Sequence, residues 1–189
     1  MREFVYFSRT AWTTGNFKDL MKAGRLDIAC HTVIMAFFIS RARRQDVKLH
    51  LFFYGPPDPP KHIIIGPRAP ISKKDIGSLF KIILYKYKPG KLTEALEDCF
   101  IEKRSLIDFI ESLAQEGRHI YILDERGQDI RQVEIAESPV FIFGDHRGLP
   151  LKEKKRLSKK AKKVSLGKVT YMASQALAIL QNELDRRGL

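Results

Sequence analysis

Cysteine is scarce in this chain: only Cys30 and Cys99 occur, both in apolar surroundings, with no CxxC pair and no histidine cluster beside either. A disulfide framework needs several half-cystines at set spacings, and a structural zinc site needs grouped thiolates and imidazoles. Neither is indicated, and no metal is expected. Acid is also short, with 22 Asp and Glu against 34 Lys and Arg, a formal charge of +12. Such an imbalance favours a polyanionic partner, because each lysine or arginine set on a phosphate releases condensed counterions. Apolar runs are short: none approaches the roughly 18 residues needed to cross a bilayer. The opening MREFVYFS reads as a strand rather than a secretory leader. A cytoplasmic protein without membrane contact is the expectation.

The common fingerprints of nucleotide and acyl chemistry are missing too. Gly144-Asp145-His146-Arg147-Gly148 lacks the GxGxxG spacing, and GKVT at 167–170 lacks the upstream half of a phosphate-binding loop. His146 with Asp145 and Ser165 suggests a nucleophilic triad, but there is no GxSxG elbow. An Asp-His pair in a turn more commonly serves local hydrogen bonding, so a hydrolase is set aside.

What is present is alternation. Hydrophobic residues make up 44% and charged residues 30%, enough for a real core, and the length suits one domain spanning 1–189. Strand patterns fall at 4–7, 47–54, 62–66, 119–124, 131–135, 139–143 and 163–167. Helical spacing runs over 25–42, 72–86, 104–116 and 171–187, and the prolines of YGPPDPP interrupt the second strand. Strands alternating with helices predict an α/β fold with a mainly parallel sheet and helices on both faces.

In such sheets ligands lie beyond the carboxyl ends of strands. Three turns have that character: LDERGQD after HIYIL, GDHRGLP after the wholly apolar PVFIF, and SLGKVT after KKV. Arg25 and Asp27 flank Leu26 where the first helix begins, either as charge complementarity to the helix dipole or as a pair that handles substrate in a cleft. Between Lys152 and Lys163 stand eight basic residues and one acid. Lys154, Lys155, Arg156 and Lys159 are therefore candidate contacts to an RNA backbone, with RARR at 41–44 as a second patch.

Four segments together resemble the archaeal tRNA pseudouridine-54 N1-methyltransferases of the SPOUT superfamily. They are GRLD at 24–27, FFYGPPDPP at 52–60, PVFIFGDHRGLP at 139–150, and SLG followed by a final helix. The likeness extends over nearly the whole chain. It implies a deep trefoil knot within about 119–189, a homodimer, and S-adenosylmethionine held by the knot. The cofactor residues implied are Leu123, Gly144, Leu166, Gly167, Lys168, Val169, Thr170 and Tyr171, with Gly144 admitting close approach. The partner implied is tRNA, whose T-loop base must be splayed from its stack to be methylated.

For this chemistry Asp27 is the candidate proton acceptor and Arg25 its support, with Asp145 and His146 as second choices. The chain departs from the family pattern in reading SLGKVTYMA where others have SLSPLELHA. Ala176 also falls where a cysteine is usual, so no thiol is required here. Two alternatives remain: a methyltransferase for another RNA nucleoside, such as an rRNA pseudouridine, and a non-catalytic RNA-binding module of the same fold.

Overall fold

The computed structural model describes all residues, 1–189. In chain order the elements are β1 (Arg2–Ser8), α1 (Leu26–Phe37), β2 (Val47–Phe53), β3 (Lys61–Ile65), α2 (Ile76–Tyr85), β4 (Thr93–Leu96), β5 (Cys99–Glu102), α3 (Leu106–Gln115), β6 (Ile120–Asp129), β7 (Val140–Gly144), α4 (Leu151–Leu157), β8 (Lys162–Ser165) and α5 (Ala173–Arg186). One sheet contains every strand in the order β4-β5-β3-β2-β1-β7-β6-β8. From β2 across to β8 the pairings are parallel, whereas β2–β3, β3–β5 and β4–β5 are antiparallel.

The central strand β1 is buried at every position, as expected for a strand with parallel neighbours on both sides and helices over both faces. On one face α1, α2 and α5 bury Leu26, Val33, Phe80, Leu177 and Leu180 against the sheet. On the other, α3 and α4 contribute Leu106, Phe109, Ile110 and Leu157. The α/β architecture with helices on both faces therefore stands, with an antiparallel edge that the alternation did not foretell.

Other expectations shift. The segment 131–135 is not a strand: β6 runs on to Asp129, and Ile130–Gln132 forms a 3-10 turn. Ile130, Val133 and Ile135 drop into the core instead of pairing, which explains their apolar alternation. The β4–β5 hairpin was not anticipated. RARR is no free cationic patch, because Arg44 pairs with Asp185 at 2.5 Å and the Arg43 guanidinium lies 5.4 Å from the centre of the Phe37 ring. The run LKEKKRL is the helix α4, whose basic residues gather in the last turn, where the helix dipole favours them. No helix is long and apolar enough to cross a membrane.

Candidate active site

The carboxyl ends of β1, β2, β7, β6 and β8 all reach the same edge of the sheet, because these strands are parallel. Two concavities lie side by side along that edge. A cavity of about 390 Å³ is formed by Leu123, Asp124 and Glu125 from β6, the turn from Phe143 to Leu149 after β7, and the segment from Ser165 to Tyr171 after β8. The turns after β7 and β8 thus converge on β6; LDERGQD, expected as a turn, belongs to that strand and is interrupted only by a bulge in its pairing with β8. Leu123, Gly144, Leu166, Gly167, Val169, Thr170 and Tyr171 line the cavity, and so does Ala176 from α5. Lys168 is exposed and does not line it.

The polar turn after β7 now has a structural purpose. Asp145 is enclosed, and its carboxylate accepts hydrogen bonds from Ser8 Oγ at 2.7 Å, the Arg9 amide at 3.3 Å and the Arg147 amide at 2.8 Å. The turn is thereby tied to the end of β1. Gly144 is required by the same fold-back: a Cβ there would stand 2.4 Å from the Gly148 carbonyl carbon and 2.8 Å from the Leu149 nitrogen. Its lack of a side chain serves the turn itself first, and a ligand second. No triad forms, since Asp145 is 3.9 Å from His146 and Ser165 Oγ is engaged with the Gly167 backbone.

Asp124, which the motifs did not single out, lies at the cavity wall. Burial opposes its charge, but the Arg126 amide at 3.0 Å and Lys154 at 3.1 Å outweigh that and hold its carboxyl below the usual range. Its place just after HIYIL, where a parallel strand delivers its carboxyl end, was the available signal. Lys154 is consequently committed to a wall of the cavity, and Arg156 lies 3.5 Å from Glu111. Of the four candidate RNA contacts, Lys155 and Lys159 are the ones that stand exposed without a carboxylate partner.

The second concavity, about 410 Å³, is formed by the loops after β1, β2 and β7 and includes Arg25 and His146. Arg147 lines both concavities. Gly24 and Arg25 take left-handed φ values of 72° and 64° at the entry to α1, a conformation that costs an arginine backbone strain. Here it turns the guanidinium back upon Asp27: Nε reaches Oδ1 and Nη2 reaches Oδ2, both at 2.9 Å. Asp27 therefore does not cap the helix. The hydrogen bond from Arg25 holds its carboxyl below the usual range, so it is ionised at neutral pH.

Asp27 lines neither concavity itself; Arg25 is the member of the pair that reaches one. Tyr6 of β1 is fully buried, and its hydroxyl has no hydrogen-bond partner. Burial, then the charges of Asp145 and Asp27, push its acidity down, and it stays a donor.

Comparison with known proteins adds four findings. A family model described as "Putative SAM-dependent RNA methyltransferase" matches residues 1–189. The tRNA (pseudouridine(54)-N(1))-methyltransferase of Methanococcoides burtonii is 33% identical, covering 98% of this chain and 96% of its own length. The protein of the same name from Pyrococcus abyssi is 34% identical over 100% of both chains. The crystal structure of Archaeoglobus fulgidus Nep1 bound to S-adenosylhomocysteine superposes with a TM-score of 0.67 over 100% of this chain and 99% of that one, at 14% identity. That last likeness is one of fold.

Proposed function

This chain belongs to the family of S-adenosylmethionine-dependent RNA methyltransferases, and from that premise we propose that it methylates N1 of pseudouridine at position 54 of tRNA. The observation that carries the site assignment is the meeting of the bulged strand β6 with the turns after β7 and β8 in one cavity of about 390 Å³, within the range of small-molecule sites. The residues suit the cofactor. Glu125 offers a carboxylate with no basic partner at the wall, and glycine backbone at 144 and 167 leaves polar main chain accessible. When bound, S-adenosylmethionine supplies a methyl group made electrophilic by an adjacent positive sulfur.

The chain's own part is alignment and proton handling. Pseudouridine is joined to ribose through carbon, so its N1 carries a proton that must leave. Asp27, ionised and gripped at both oxygens by Arg25, is the acceptor in this reading, directly or through a water. Arg25 lowers the basicity of Asp27 while the pair is intact. A substrate phosphate that drew Arg25 away would raise that basicity as RNA arrives.

The finer architecture belongs to the same reading. A trefoil knot in 119–189 is part of this reading, following from the family membership. Exposed Leu151, Val169, Tyr171 and Met172 around the cavity mouth support a homodimer whose partner covers them. A tRNA substrate and the absence of a membrane-spanning helix support a cytoplasmic location.

The deciding experiment is nucleoside mass spectrometry of tRNA carrying pseudouridine at position 54, incubated with the protein and isotopically labelled S-adenosylmethionine. Label in 1-methylpseudouridine is the expected result. Label in another nucleoside would reassign the substrate, and no label in tRNA or rRNA would favour a binding module.

A further inference from the structure

We infer that the second concavity, and not the lysine-rich helix α4, seats the RNA strand, with phosphates on Arg9, Lys22 and Arg147 and one nucleobase stacked on Trp12. This rests on the methyltransferase reading above and names where its macromolecular substrate lies.

Charge separates the two concavities. The cavity is lined by three acids together with Arg147 and Lys154. The neighbouring depression is lined by Arg9, Lys22, Arg25, Arg147 and His146, with no acidic residue at all. A cationic cofactor and a polyanionic strand are thereby sorted to adjacent places. Arg9, Lys22 and Arg147 are exposed, form no ion pair and share one depression, whereas on α4 Lys154 and Arg156 are committed to Asp124 and Glu111, and its free Lys152 and Lys155 line neither concavity. A phosphate meeting the first group need not break an existing pair, so its full attraction is available.

Shape supports the same assignment. Trp12 is half-buried, its underside packed on the core, and its amide donates to the Ala23 carbonyl at 3.1 Å. The β1–α1 loop that carries it is also stitched to the loop after β2, with the Gly55 amide on the Ala11 carbonyl at 2.9 Å and Thr13 Oγ1 on the Gly55 carbonyl at 3.0 Å. An aromatic face held in place is a stacking platform that loses little entropy on binding and tolerates any base. Because Arg147 borders both concavities, a strand on the depression delivers a splayed nucleotide to the cavity's edge.

Trp12 is the chain's one tryptophan, so its fluorescence reports this place alone. The test titrates the full-length protein, saturated with S-adenosylhomocysteine, with a T-arm stem-loop RNA containing pseudouridine. Saturable quenching of Trp12 by RNA is expected, with Trp12→Ala weakening the RNA about tenfold. Arg9→Ala/Lys22→Ala should flatten the salt dependence of log affinity by about 1.4. In the latter variant calorimetric S-adenosylhomocysteine affinity should be unchanged.

RNA that binds at full affinity without touching Trp12 fluorescence overturns the inference, the more so if Lys155→Ala/Lys159→Ala removes the salt slope. The double variant keeps the test decisive should Trp12→Ala fail to fold. Failure of the wild type to bind S-adenosylhomocysteine or to label tRNA would instead sink the methyltransferase reading. An absence of RNA binding would sink both.

Discussion

Acidification should cost this protein about 3 kcal/mol through one buried histidine. A row of side chains crosses the sheet beneath α3. Arg118 holds Glu3 at 2.9 Å, Glu3 meets His50 at 3.1 Å, His50 meets His62 ring to ring at 2.9 Å, and His62 meets Glu102 at 2.9 Å. Phe109 of α3 packs on both rings, and Lys48 and Arg104 add positive charge nearby.

Burial opposes charge on either ring, which holds His50 below its ordinary value and pushes His62 down from 6.5 to about 4 despite the Glu3 and Glu102 carboxylates. As neutral rings the two imidazoles have one hydrogen each, enough for one bond to each carboxylate. The unfolded ring takes its proton as pH falls through 6.5, while the folded ring refuses it until about 4. Stability is thus present above 6.5 and is lost on the way down to about 4. At about 1.4 kcal/mol for each tenfold in proton affinity, the gap amounts to about 3 kcal/mol, a large share of a typical domain's stability.

Urea unfolding at a series of pH values would measure it for the wild type and for His62→Gln. The wild type should lose about 3 kcal/mol more than the variant over that interval. Curves of equal pH dependence would refute the buried neutral pair. Glu3, held at about 2 against an ordinary 4.5 by His50 and Arg118 despite its burial, continues the acid limb below that range.

Gly144→Ala should weaken S-adenosylhomocysteine at least about fivefold by calorimetry, because a Cβ 2.4 Å from the Gly148 backbone forces the turn to move, at a cost of roughly 1–3 kcal/mol. Unchanged affinity would detach that turn from the cofactor. Asp27→Asn should lower turnover about a hundredfold or more while leaving cofactor affinity intact, as measured by single-turnover methyl transfer; a wild-type rate removes Asp27 from proton transfer. Arg2→Ala should destabilise the fold by about 2 kcal/mol in denaturant melts. Buried Arg2 ties β1 to the end of α5, through Asp185 at 2.7 Å, Gln181 at 3.1 Å and the Leu189 carbonyl. A neutral result would mean that the carboxyl terminus is held by apolar packing alone.

Much of the fold was legible because burial leaves local marks. PVFIF is apolar throughout because β7 has neighbours on both sides and helices on both faces, and the face of α5 shows in Ala176, Leu180 and Leu184. The same logic misled at 131–135, where Val133 and Ile135 alternate because they plug the core, without belonging to a ladder. The edge hairpin escaped because its strands are short and half-exposed, so their alternation is weak.

The residue order by itself determined that strands and helices alternate, that polar turns follow the last two strands, and that Arg25 and Asp27 are separated by one residue; that LDERGQD continues β6 was left to the tertiary structure. Only the tertiary structure decided which charges are free. Lys154 and Arg156 look like Lys155 in sequence, yet Asp124 and Glu111 engage the first two, and Asp145 is consumed by amides from β1 and its own turn. Arg9 and Lys22 from the loop after β1 and Arg147 from the turn after β7 share one concavity because parallel strands deliver their ends to a common edge. Periodicity records how deeply a residue is buried, whereas an ion pair depends on distances across space, and those exist only once the chain has closed on itself.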